Sequence, residues 1–255
     1  MHEPSRSRYR RLGLVVLLAL APLDAPAQLN PSDERFLASE RRLYSQKREE
    51  VVIRHFFQDR KYGFFVDVGA YDWKKLSTTY FLERHLGWSG IAIDALPEFA
   101  EGYESNRPRT KFFNYIVTDR SGAEQAFYRV EHWESVSSTS KPWIQSIFKH
   151  FFGGADPRMT EIMVPTTTLT DLLERNHVER INFLSMDIEG SEPEALAGFD
   201  IDRFQPKLVC IEASPTIRSA IAAYFESHGY ERIEEYLKVD AVNWYYTPRR
   251  TPPAR

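Results

Sequence analysis

One stretch, residues 62–94, limits the possible folds of this chain more than any other. Residues 64–68 (FFVDV) form a short apolar run that carries one acid, which is typical of a strand buried on both faces. Gly69 and Ala70 end this run, and such small residues allow a sharp turn and a close approach of the backbone to a ligand. A helix and a second buried strand follow, and that strand ends at Asp94. The pattern predicts a strand, a tight turn, a helix and a strand of a parallel α/β sheet.

The acid at the end of the second strand predicts a ligand site. In parallel α/β sheets, ligands bind beyond the carboxyl ends of the strands, and an acid after the second strand can bind the hydroxyls of a ribose. Asp94 has that position. Tyr71 stands at the second glycine position of the dinucleotide pattern G-x-G-x-x-G, where it would obstruct a pyrophosphate. A nucleoside without phosphates, such as S-adenosylmethionine (SAM), fits this turn better; the alternative is a tight turn without a nucleoside.

The remainder of the chain alternates strands with helices. Apolar runs predict strands over residues 112–117, 126–130, 161–168, 182–187 and 207–212. Two further strands, over residues 230–237 and 242–247, are predicted to pair as a hairpin. We therefore expect an α/β fold with a doubly wound, mostly parallel sheet and a terminal antiparallel hairpin.

Five acids fall at or beside the carboxyl ends of predicted strands. They are Asp67, Asp94, Asp187, Glu189 and Glu212. On this topology they face one crevice, where they would raise one another's pKa or recruit a cation. A carboxylate beside a substrate hydroxyl could also act as general base. The acids show no fixed metal-binding spacing, so no metal ligand is assigned, and an oxygen-ligated divalent cation stays an alternative.

Charge and cysteine content exclude several classes of protein. The formal net charge of −3 gives no indication of a nucleic-acid partner. Cys210 is the single cysteine, which excludes an internal disulfide framework and a cysteine-based zinc site, and its apolar neighbours predict a buried thiol. Residues 131–142 form a serine-rich loop, which could carry substrate contacts or could simply be flexible.

The first 27 residues have the layout of a secretory signal peptide. They combine a basic start, an apolar stretch over residues 12–21 and a small-x-small motif at residues 25–27. The apolar stretch is too short for a comfortable membrane span. We therefore expect an exported or periplasmic protein. The alternatives are an uncleaved segment, which would be the chain's one link to a membrane, and a start codon placed too far upstream in a cytoplasmic protein.

Several motifs resemble the FkbM family of SAM-dependent methyltransferases. They are residues 65–70 (FVDVGA), 79–83 (TYFLE), 86–94 (LGWSGIAID), 164–169 (VPTTTL) and 183–192 (FLSMDIEGSE). The D-x-E-G-S-E run within the last motif is the most specific of them. The resemblance spans residues 62–247 and implies a class I methyltransferase sheet of the Rossmann-like type. It also implies methyl transfer from SAM, usually to a hydroxyl oxygen on a sugar or another small molecule.

The resemblance further implies roles for individual residues. The implied cofactor-binding residues are Asp67, Gly69, Ala70, Tyr71, Asp94, Thr118 and Asp119. The turn after the first strand would hold the methionine part of SAM, Asp94 would bind the ribose hydroxyls, and Thr118 and Asp119 would lie beside the adenine. Asp187 and Glu189 would face the methyl-transfer centre as catalytic residues.

These expectations divide the chain into four parts. They are a leader or anchor (residues 1–27), an amphipathic helical segment (28–61), the methyltransferase domain (62–248) and a disordered tail (249–255). Two other functions stay open. SAM is made in the cytoplasm, so an exported chain could be a non-catalytic binding protein that keeps the fold, and the acids could instead form a metal site for hydrolysis.

Overall fold

The computed structural model describes residues 43–151 and 157–249. The predicted leader, the first part of the helical segment and residues 250–255 of the predicted tail lie outside the described residues. Among the described helices, none is long and apolar enough to cross a membrane.

The strands form a large central sheet and a small second sheet. In chain order they are β1 (Phe64–Val68), β2 (Ser89–Asp94), β3 (Thr110–Asn114), β4 (Ile116–Val117), β5 (Glu124–Val130), β6 (Met159–Thr167), β7 (Phe183–Met186), β8 (Leu208–Glu212), β9 (Tyr230–Arg232) and β10 (Asn243–Pro248). The seven-stranded sheet has the order β3-β2-β1-β7-β8-β10-β9. The first five of these strands run parallel, and β10 runs antiparallel to both of its neighbours. This confirms the predicted doubly wound sheet with its terminal hairpin.

The first described helix precedes β1, and the other helices lie between strands along the chain. They are α1 (Glu49–Phe57), α2 (Tyr80–Leu86), α3 (Ala100–Asn106), α4 (Lys141–Phe151), α5 (Leu169–Arg175), α6 (Glu192–Ala197), α7 (Ile201–Phe204) and α8 (Arg218–Ser227). Short 3-10 turns occupy Pro97–Phe99, Glu134–Val136 and Glu234–Lys238. After β1, the chain adds β2 and β3 on one side of β1. It then crosses to the other side of β1 and adds β7 and β8 there. This reversal between β1 and β7 opens a crevice at their carboxyl ends.

Apolar residues of alternating orientation cover the two faces of the central sheet. On one face, Val66 and Leu184 pack with residues of α5 and α8. On the other, Phe65 and Phe183 pack with Val52 and other residues of α1. The described part of the predicted N-terminal helical segment is therefore built into the core of the same domain.

The C-terminal strand also holds α1 in place. Asn243, at the start of β10, donates from Nδ2 to Oε1 of Glu49 and to Oδ2 of Asp240, both at 3.0 Å. All three residues are buried. The first described helix is thus joined to the last strand by a buried polar contact.

The prediction of one strand over residues 112–117 was wrong. The backbone amide of Tyr115 still donates to the carbonyl of Asp94 at 3.2 Å, but the chain then turns out of the central sheet. Ile116 and Val117 pair with Thr166 and Thr167 of β6. Because β6 also pairs with β5, these residues form a separate three-stranded sheet beside the crevice.

The prediction of a strand over residues 230–237 was also wrong in its second half. The strand ends at Arg232, and a 3-10 turn follows. This turn buries Tyr236, whose ring lies 5.5 Å from that of Tyr245 and whose hydroxyl lies 2.9 Å from Nδ1 of His55. The 3-10 turn therefore packs this aromatic side chain against α1 and β10, where a longer strand was predicted.

A buried ion pair joins α2 to the loop before β3. Arg107 Nε donates to Glu83 Oε2 at 2.5 Å, and the two side chains are 1% and 5% exposed. Arg107 also donates to the carbonyl of Trp73 at 2.8 Å and to Thr79 Oγ1 at 3.3 Å. Thr79 in turn donates to Asp67 at 2.8 Å, so this network reaches the end of β1.

We predict that Arg107→Met destabilises the protein by about 3–5 kcal/mol, because it leaves the buried Glu83 carboxylate without its charged partner. Urea unfolding followed by circular dichroism measures this loss. Arg84→Met is the matched control, since Arg84 is exposed on the same helix as Glu83 and its loss should cost less than about 0.5 kcal/mol. Equal costs for the two variants would contradict the prediction.

Candidate active site

A cleft lies at the carboxyl ends of β1, β2 and β7. It contains about 990 Å³ of space, its open mouth included. Its walls include the ends of these strands, the turn after β1, the segment around β4, the loop over residues 134–139, the segment after β7 and the start of α1. The cleft therefore coincides with the crevice that the strand order predicts.

The turn after β1 touches the end of β7. Gly69 has φ +80, and a Cβ at this position would lie 1.8 Å from the carbonyl oxygen of Asp187. The amide of Asp187 donates to the carbonyl of Val68 at 2.9 Å, which holds the two strand ends together. Only glycine combines this backbone angle with this close approach.

The amides of the turn are already occupied. Those of Gly69 and Ala70 donate to the carbonyl of Ile93 at 2.9 and 3.1 Å. The amide of Tyr71 donates to Oδ2 of Asp94 at 2.8 Å. Since no amide of these residues is left to bind a phosphate, the turn suits a ligand without phosphates, as the sequence predicted.

Asp94 ends β2 with its carboxylate fixed at the cleft. One oxygen accepts from the amide of Tyr71, and Oδ1 accepts from the amide of Leu96 at 2.8 Å. Each oxygen keeps a second lone pair, which can accept a hydrogen bond from a ribose hydroxyl. Burial raises the pKa of Asp94 to about 6, although these two amide hydrogen bonds act in the opposite direction.

The other residues of the predicted cofactor site differ in their positions. Asp67 lines the cleft but is only 3% exposed, and its carboxylate accepts the hydrogen bond from Thr79. Burial raises the pKa of Asp67. Tyr71 has φ +51, lines the cleft, and packs its ring edge-on against Phe99 at 4.8 Å. Ala70 lines the cleft beside them.

Thr118 and Asp119 lie outside the lining of the cleft. They follow β4 in the small sheet, where the amide of Thr118 donates to the carbonyl of Thr167 at 3.0 Å. Tyr115, Ile116 and Val117 line the cleft instead. No local pattern in the sequence indicates that the chain leaves the central sheet at Tyr115, because this departure depends on pairing of β4 with β6, which lies far along the chain.

Three acids meet at the ends of β7 and β8. Asp187, Glu189 and Glu212 each place a carboxylate oxygen within 4.8 Å of the other two. Burial, and then the nearby Glu212, raise the pKa of Asp187 and Glu189 well above their ordinary values. Burial, and then Glu192, raise the pKa of Glu212 to about 8. Of the five acids that the sequence placed in one crevice, the structure brings these three into contact distance, while Asp67 and Asp94 have separate partners.

A fourth acid fixes the loop that carries Glu189. Glu192 accepts hydrogen bonds from the amides of Ile188 and Gly190 at 2.8 and 3.0 Å. Glu189 lies between these two residues with φ +58. The serine-rich loop packs on the same segment, because Ser138 Oγ donates to the carbonyl of Glu189 at 3.1 Å.

A profile of the methyltransferase FkbM domain matches residues 67–232, which is more than half of the chain. The chain belongs to the FkbM methyltransferase family. No curated protein sequence matches it. Membership confirms the predicted family and the predicted cofactor, SAM. The occupied turn amides and the accepting carboxylate of Asp94 fit a phosphate-free nucleoside of this kind.

Solved structures with a similar fold are distant from this FkbM-family chain. A TehB-like SAM-dependent methyltransferase from Corynebacterium glutamicum has 10% identity and a TM-score of 0.44, with 85% of this chain and 94% of that chain covered. A SAM-dependent methyltransferase from Geobacter sulfurreducens, in complex with S-adenosyl-L-homocysteine, has 9% identity and a TM-score of 0.40, with 86% and 99% covered. Similarity at these scores is weak, and the fold assignment rests on the strand order and the family.

We predict that Gly69→Ala destabilises the FkbM domain by roughly 3 kcal/mol or more, because it adds a clash with Asp187 to the cost of the backbone angle. Gly122→Ala is the matched control. Gly122 has φ +82, and a Cβ added there would meet open space. This variant therefore measures the cost of the backbone angle alone, which we expect to be about 1–2 kcal/mol. Urea unfolding compares the two variants, and similar losses would show that the clash does not exist.

We also predict that binding of S-adenosylhomocysteine weakens about tenfold between pH 7 and pH 5. Because the pKa of Asp94 is raised to about 6, its carboxylate takes up a proton in the folded protein as the pH falls through about 6. A protonated carboxyl loses acceptor capacity for the ribose hydroxyls. The same protonation has the opposite effect on folding. Because Asp94 takes up a proton at a higher pH in the folded protein than in the unfolded chain, the free energy of unfolding rises as the pH falls from about 6 to 4. Calorimetry on Asp94→Asn should give weaker binding with a flatter pH profile.

Proposed function

We propose that this chain is an O-methyltransferase that transfers the methyl group of SAM to a hydroxyl of a sugar or another small molecule. One observation carries the proposal: the same cleft is lined by Gly69 and Asp94 and, directly beside Gly69, by Asp187 and Glu189. The part at Asp94 suits the nucleoside of the donor. The part at Asp187 and Glu189 offers carboxylates to an acceptor hydroxyl.

The walls near the carboxylates support a hydroxyl-bearing acceptor. Polar side chains of the loop after β5 line the cleft there, and they are Glu134, Ser135, Ser137 and Thr139. Thr139 Oγ1 lies 2.8 Å from Ser191 Oγ, which joins this loop to the segment after β7. Tyr115 and Phe127 provide aromatic lining. A small polyhydroxylated molecule would thus meet hydrogen-bonding groups and apolar ring faces in one pocket.

The chain's own residues would act mainly by position and charge. SAM supplies a methyl group activated by the positive sulfonium. The fixed turn at Gly69 and the carboxylate of Asp94 would orient the nucleoside, which converts a reaction between two molecules into one within a complex. Asp187 or Glu189 would accept a hydrogen bond from the acceptor hydroxyl and then its proton. Burial favours the protonated form of these acids, and a nearby positive charge favours the ionised form that a base needs.

We predict that Asp187→Asn and Glu189→Gln differ from Asp94→Asn in kinetic effect. Loss of the general base should lower kcat by about 10²–10⁴-fold and leave S-adenosylhomocysteine affinity within about threefold. Asp94→Asn should instead weaken that affinity at least tenfold, about 1.4 kcal/mol. Glu101→Gln is the control, because Glu101 is an exposed acid on α3.

The assay follows S-adenosylhomocysteine release with a panel of sugars and other small hydroxyl compounds, and calorimetry gives the affinities. Methylation of nitrogen or carbon acceptors alone would reject O-methylation. A folded protein that binds no S-adenosylhomocysteine at millimolar concentration would reject methyl transfer altogether and favour a non-catalytic binding protein.

A further inference from the structure

The three acids at the ends of β7 and β8 have the spacing of a cation site. One oxygen from each of Asp187, Glu189 and Glu212 lies within 4.8 Å of the others. Oxygen ligands that surround a divalent cation at about 2.0–2.6 Å lie roughly 3–5 Å apart. The oxygens therefore need little movement to share one ion.

These carboxylates have no compensating partner in residues 43–151 and 157–249. None of the three forms an ion pair there, and none accepts a hydrogen bond from a side chain or an amide. The strongest charged neighbours of Asp187 are acids as well: Glu212 and Glu49. Like charges at this distance repel strongly where water is scarce.

A separate observation concerns one atom of the group. Oε2 of Glu212 is buried and has no hydrogen-bond partner within the described residues. A buried carboxylate oxygen is almost always satisfied in a folded protein, by a donor or by an ion. Because Glu212 is the last residue of β8, the rigid sheet holds its side chain beside Asp187, which follows the neighbouring strand β7.

We propose that Asp187, Glu189 and Glu212 bind one divalent cation of the Mg²⁺ or Mn²⁺ type. Carboxylate oxygens are the ligands that such cations prefer. The ion would lie at the acceptor part of the cleft, since Asp187 and Glu189 line it. There its charge would stabilise the acceptor oxygen while the hydroxyl proton passes to the second carboxylate oxygen of Asp187 or Glu189. This last role rests on the proposed function, whereas binding of the ion does not.

The test is a titration of the full chain with Mn²⁺ in metal-free buffer, followed by the electron paramagnetic resonance signal of the free ion. We expect one ion per chain, with the free signal restored by excess Mg²⁺. Glu212→Gln keeps the shape of the side chain and should weaken Mn²⁺ binding at least tenfold. Glu194→Gln, which changes an exposed acid on α6, should leave it unchanged.

Two results would overturn the site: a folded protein that binds no Mn²⁺, or Glu212→Gln with unchanged Mn²⁺ affinity. If Glu212→Gln does not fold by circular dichroism, Glu189→Gln replaces it with the same expectation. Calorimetry with S-adenosylhomocysteine in the presence of a chelator separates the two proposals. Donor binding without Mn²⁺ binding would overturn the cation site alone, and Mn²⁺ binding without donor binding would overturn the methyltransferase proposal alone.

Discussion

The cleft depends on one close contact, between the turn after β1 and the strand end at Asp187. At Gly69 the two backbones approach so closely that no side chain fits between them. The same turn lies between Asp94, where we propose that the donor binds, and Asp187, where the acidic part of the cleft begins. Both residues are therefore positioned by strand ends of the central sheet, and loops complete the walls.

Local sequence patterns predicted the doubly wound sheet with its terminal hairpin, and they placed Gly69 and Asp94 directly after strands whose ends line the cleft. Gly69 and Asp94 follow buried strands directly, so their positions come from short-range signals and from the rule that parallel strands end at one edge. The chain's departure from the sheet at Tyr115 had no such signal, because it is set by pairing of β4 with the distant β6. The resemblance to the family implied that Thr118 and Asp119 lie beside the adenine, whereas in the structure the three residues before them, Tyr115, Ile116 and Val117, line the cleft.

The acidic part of the cleft shows a second limit of sequence reasoning. The sequence placed five acids at one edge, but spacing along the chain could not tell which of them would touch. That choice depends on the register between β7 and β8, which pairs Met186 with Ile211 and so brings the next residues, Asp187 and Glu212, side by side. Asp67 is not part of this group, and its carboxylate accepts a hydrogen bond from Thr79.

The contact of Asn243 with Glu49 has a consequence for how the protein is made. Glu49 lines the cleft, yet its carboxylate is held by a residue of the last strand. β10 also separates β9 from the parallel strands, so the edge of the sheet is incomplete without it. During synthesis from the N-terminus, the contact that holds this wall can form only after nearly the whole chain has left the ribosome. A shortened translation product that ends before β10 would carry all five motifs that resemble the family and still lack this contact.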